Sequence, residues 1–88
     1  AGEQVVAEAK KWIEANPEAW RFMLSNARRL KEKGYVSINY LVNMVRNELH
    51  VGCKNGIAPA LARIMEARYP ELRGAFNKHR SQSDGFSE

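Results

Sequence analysis

The sequence predicts an all-α protein: a compact bundle of about five helices containing a helix-turn-helix-like arrangement. Three observations carry this. Apolar residues recur at the 3.6-residue helical period, Pro and Gly punctuate the chain at helix-length intervals, and no segment alternates as a strand would.

In the first predicted helix, about Glu3 to Ala15, Val5, Ala9, Trp12 and Ile13 form one stripe, and Asn16-Pro17 ends it because a residue before proline is pushed out of helical geometry. Asn16 is the expected cap of the second helix, with Pro17 at a first position where its missing N–H costs nothing. Trp20, Met23, Leu24, Ala27 and Leu30 form the inner face of that helix. Gly34 is the expected stop, in left-handed conformation, after a last turn loaded with Lys31 and Lys33. Ser37 is a good cap for a third helix whose stripe is Ile38, Leu41, Val42, Val45 and Leu49. Residues His50 to Gly56 read as a turn or very short hairpin with Asn55-Gly56 as its tight turn. A fourth helix carries Ile57, Leu61, Ile64 and Met65 inward, with Pro59 in its first turn and Pro70 breaking it after Tyr69. A short fifth helix, about Pro70 to Lys78, would bury Leu72 and Phe76 despite Gly74 in its middle. Residues 1–80 are thus expected to form one domain around Trp12, Trp20 and the stripes of the third and fourth helices. Residues 81–88 are expected to be a mobile tail.

With 88 residues, 44% apolar and 27% charged, the chain has ordinary globular composition. Cys53 is its one cysteine and cannot form an internal disulfide, which argues for a reducing compartment. No apolar run approaches the roughly 20 residues of a membrane-spanning helix, and the first residues lack a signal-peptide layout; a cytoplasmic protein is expected, with no membrane partner. The net charge of +4 is unevenly spread. Residues 21–54 hold seven Lys or Arg against two Glu, and residues 55–80 five against two, whereas both ends are mildly acidic. A basic body between acidic ends favours a phosphate-bearing partner.

Catalytic motifs are lacking: there is no Gly-rich phosphate loop, HExxH, CxxC or Gly-flanked serine at a strand-to-helix turn. His50 and Cys53 with the distant His79 fall short of the four ligands of a structural zinc site. Glu14 and Glu18 flank a helix boundary, where capping and solvation explain them. The expectation is a binding protein, not an enzyme, with no cofactor.

The polar face of the third helix is the most informative feature. Asn39, Asn43, Arg46, Asn47 and His50 fall together opposite the apolar stripe. A solvated helix face would ordinarily favour Glu and Lys, since Asn is a poor helix former. Asn and Arg are also the side chains that form paired hydrogen bonds to adenine and guanine edges in the major groove. The second helix, the turn at Gly34 and the third helix make a helix-turn-helix arrangement, although the link is slightly long for the tightest version. Arg28, Arg29, Lys31, Lys33 and Lys54 would flank it as phosphate contacts.

Three segments together resemble a known group. They are Trp12-Ile-Glu-Ala-Asn-Pro-Glu-Ala-Trp20, Val36-Ser-Ile-Asn-Tyr-Leu-Val-Asn-Met-Val-Arg46 and Ala62-Arg-Ile-Met-Glu-Ala-Arg-Tyr-Pro-Glu-Leu72, with Phe76 and Arg80-Ser81 behind. This resembles small phage- and prophage-encoded helical proteins, in which an Asn-Pro-Glu-type helix start is followed by an Ala-Arg helix, a Pro-Glu and a terminal Phe. The resemblance implies a phage setting and two roles, a transcription regulator or an inhibitor of a host protein such as a component of anti-phage defence.

Two partner classes follow. In the first, the third helix enters the major groove of double-stranded DNA. In the second, the chain docks on a protein or a second copy of itself through large groups outside the stripes: Phe22, Tyr40 and Met44. Full burial of Tyr40 and Met44 would remove that patch.

Overall fold

The computed structural model describes residues 2–76. Among them are four α-helices: α1 (Gly2–Ala15), α2 (Pro17–Lys31), α3 (Ile38–Met44) and α4 (Ala58–Arg68). No strand occurs among the described residues. A π-helical turn, Val45–Leu49, prolongs α3, and single 3-10 turns cover Asn55–Ile57 and Pro70–Leu72.

The all-α class agrees with the sequence, but the helix count is four rather than five. Where a fifth helix was expected there is one 3-10 turn, then a turn with Gly74 at φ +81°. Gly74 adopts a left-handed conformation that a helix interior does not permit, and so short a helix would have few internal hydrogen bonds to hold it. Leu72 and Ala75 are buried regardless, with Phe76 packed on the core. Residues 77–88, including the expected tail, lie outside the described residues.

Helix α4 is the centre of the molecule. Ala58, Ala60, Leu61, Ala62, Ile64 and Met65 are all buried on its eleven residues, more than one stripe, because both α1 and α3 pack on it. Pro59 lies in its first turn, and its end before Tyr69-Pro70 is as the sequence predicts. The α2 stripe of Trp20, Met23, Leu24 and Ala27 is buried, with Leu30 at its margin. Trp12 departs from expectation. It is only half-buried, packing against the core from outside, with its indole Nε1 donating to the Gly52 carbonyl at 2.8 Å.

Two local signals resolve differently from the sequence reading, and a third narrows to one of its alternatives. Asn16 stands at the N-cap of α2 but makes no side-chain bond there; its Nδ2 turns back to the Trp12 carbonyl at 3.0 Å, a second donor to an oxygen that already accepts the Asn16 backbone N–H at 2.9 Å. Gly34 adopts φ +146°, open to glycine but outside the left-handed helical region. Of the turn or very short hairpin expected over 50–56, the turn forms: Asn55-Gly56 is at its centre, with the Ile57 amide donating to the Lys54 carbonyl at 3.2 Å, and no strands pair beside it. His50, at φ 58° and ψ 35°, ends the π turn in left-handed conformation, and the chain proceeds irregularly to that 3-10 turn.

Ser37 caps α3 as expected, its Oγ accepting from the Tyr40 amide at 3.3 Å. Ser37→Ala should therefore lower stability by about 1 kcal/mol in chemical denaturation, with Ser37→Asp retaining most of it. Just before the cap, the Val36 amide donates to the Ala75 carbonyl at 2.9 Å, tying the α2–α3 link to the last described turn.

Candidate nucleic-acid interface

Helices α2 and α3 pack on one another across the 32–37 link, and the buried side chains of α3, Leu41 and Val42, join Val45 in the core. The face opposite is open. Asn39, Asn43, Asn47 and His50 are exposed, and Tyr40, 53% exposed, shares their side of the helix with Asn43 and Asn47 at three- and seven-residue spacing. The sequence reading set Tyr40 apart from the asparagines; the structure puts it among them.

Arg46 differs from its neighbours. It is half-buried, with Nη2 donating to the Cys53 carbonyl and Nη1 to Asn43 Oδ1 at 3.5 Å. The cause is local. A π turn places more residues in each turn than an α-helix does, so residues past Met44 rotate out of strict 3.6-residue register and Arg46 swings toward the 50–54 segment. The five polar residues thus divide. Asn39 and Asn43 stand on regular helix, Asn47 and Arg46 on the π turn, and His50 at the chain reversal beyond it.

The flanking cations also divide. Arg28 Nε pairs with Glu71 Oε2 at 2.9 Å, its guanidinium lies 5.3 Å from the Tyr69 ring centroid, and Lys31 Nζ donates to the Glu71 carbonyl. Arg29 donates to Asn26 Oδ1 at 2.5 Å, while Lys33 and Lys54 are exposed with no ion-pair partner among the described residues. Arg28 and Lys31 therefore serve first to fasten α2 to the Pro70–Leu72 turn.

The Glu71 side chain is about half exposed, and its carboxyl is held below the usual carboxylate range, chiefly by a hydrogen bond from its own backbone N–H and then by the Arg28 hydrogen bond. A depressed folded-state value means the fastening is complete above the ordinary carboxylate range and is lost as pH falls through the lowered value. Acid titration of wild type beside Glu71→Gln should show their stabilities converging at low pH and separating as Glu71 ionises. Cys53 is buried beside Arg46, and burial pushes its thiol up, with the Arg46 charge opposing. It is a neutral packing residue at pH 7.

Among the described residues, no three His, Cys, Asp or Glu side chains converge to hold a metal ion. No described helix is long and apolar enough to cross a membrane. Sequence reasoning missed Glu71, which the Tyr-Pro-Glu motif marked only as a helix start, and it missed the dual attachment of Arg46. Comparison with protein-family models, curated proteins and solved structures finds no match to the chain.

Proposed function

We propose that this protein binds double-stranded DNA through the exposed face of α3, as a small regulator of transcription of phage type. One observation carries the reading: Asn39, Tyr40 and Asn43 on α3 and Asn47 on the π turn that prolongs it all stand exposed, with α2 packed behind α3 and within the basic part of the chain. Carboxamides offer a donor and an acceptor to adenine, and a tyrosine hydroxyl reaches phosphate. Arg46 holds Asn43 in place through one Oδ1 lone pair, leaving the second lone pair and Nδ2 for a base edge. Arg29, Lys33, Lys54 and His50 provide the surrounding phosphate contacts, with Arg28 and Lys31 behind them.

Fluorescence anisotropy of a labelled random duplex, titrated at several salt concentrations, tests this. Binding should be tighter than ~10⁻⁴ M at low salt, with log affinity falling by about 0.9 per phosphate neutralised for each unit of log salt. Absence of binding at low salt rejects the reading.

A second reading rests on the exposure of Tyr35 (39%) before α3, Tyr40 (53%) on it and Leu49 (36%) at the end of the π turn that prolongs it. Phe22 and Met44 are half-buried against the core, so of the three groups expected to serve a protein partner Tyr40 remains exposed. In this reading α3 docks on a second copy of the chain or on a host factor, including a component of anti-phage defence. Concentration-dependent dimerisation in sedimentation, with no DNA affinity, is the outcome that favours it.

A further inference from the structure

Behind α3, on the other side of Arg46, the molecule has an open cleft of about 760 Å³ between the second half of α1 and the 52–57 segment. Its size lies within the range of small-molecule sites. Trp12, Ala15, Cys53 and Ile57 supply apolar surface, while Lys11, Lys54 and Arg46 face Glu8 around it. The wall is fixed rather than incidental. The Trp12 indole N–H is bonded to Gly52, Arg46 to the Cys53 carbonyl, and the π turn with left-handed His50 brings that segment back toward α1. Because its N–H is already used, Trp12 can offer ring surface but no donor.

Charge identifies the ligand. Lys11 and Lys54 have no carboxylate within ion-pair distance among the described residues, Glu8 included, so the cleft keeps unneutralised positive charge above an aromatic and aliphatic lining. We propose that this cleft binds a small aromatic carboxylate, its ring against Trp12 and its carboxylate toward Lys11 and Lys54. The inference does not rest on DNA binding, although Lys54 is shared with the phosphate contacts proposed above and Arg46 lies between the two sites.

The probe is 2-naphthoate, with its neutral amide and 2-naphthylmethylamine as isosteric controls, added to the full chain and followed by ¹H–¹⁵N correlation spectra. The acid should shift the Trp12 indole, Gly52 and Lys54 signals saturably and bind about fivefold or more tightly than the amide, the amine being weakest, as expected of two exposed ion pairs. Lys11→Glu with Lys54→Glu, both at exposed positions, should abolish the preference for the acid while leaving the spectrum of the core unchanged. Trp12→Leu should weaken acid and amide alike. Equal binding of acid and amide, shifts confined to other regions, or no saturable shift at about 1 mM probe would each overturn the proposal.

Discussion

Replacing Leu61 by alanine is expected to cost about 3 kcal/mol, within the range for deleting a fully buried leucine side chain. Leu61 has no solvent exposure and sits on the helix against which both α1 and α3 pack, so its neighbours cannot collapse into the vacancy without moving a helix. A chain of this length has total stability of about 4–13 kcal/mol. The substitution should thus remove a large share of it and shift the urea midpoint strongly. Arg63→Ala, an exposed change on the same helix, should stay within about 0.5 kcal/mol of wild type. Similar losses for the two variants would contradict the central position of α4.

Asn43→Glu should reduce DNA affinity by about tenfold or more while leaving the fold intact. In the proposed complex a carboxylate here would face both the phosphate backbone and the acceptor-rich edge of the groove, and it would remove the carboxamide donor. The new side chain can still accept from Arg46 three residues on, so the tie to the 50–54 segment persists and helicity by circular dichroism should not change. Lys10→Ala lowers net charge by the same single unit, at an exposed position on α1. A small effect there beside a large one at Asn43 separates a local interface from general charge attraction; equal effects would remove α3 from the contact.

How much of this was legible in the sequence depends on the reach of each signal. Pro17, Ser37, Pro59 and Pro70 act on their own turns, and the boundaries they mark agree with the structure to within a residue or two. The exposure of Asn39 and Asn43 followed from the same periodicity that buried Leu41 and Val42, but the π turn breaks that period beyond Met44: Leu49, expected in the apolar stripe, is exposed, and Arg46, expected on the open face, is half-buried. The fifth helix misled because Leu72 and Phe76, four apart, are inward in a helix and equally so in a 3-10 turn followed by a glycine reversal. What no local pattern could disclose was the use of Arg28, Lys31, Arg46 and Trp12. Each is committed to a carbonyl or carboxylate outside its own helical turn, and only the packed structure decides that.

Three of the ties described above have a kinetic meaning. Trp12 to Gly52, Arg28 to Glu71 and Val36 to Ala75 each join points roughly 40 residues apart. Closing a loop of that size in a disordered chain costs about 3 kcal/mol of entropy, whereas the turns of α1, α2 and α4 close over four residues. The three loops overlap without nesting, so the first to close shortens the path for the others. Local helix formation should therefore precede these fastenings, and the first long loop to close is the slow, entropically costly event. A tie that forms after that event, when weakened, shortens the lifetime of the folded molecule more than it slows folding.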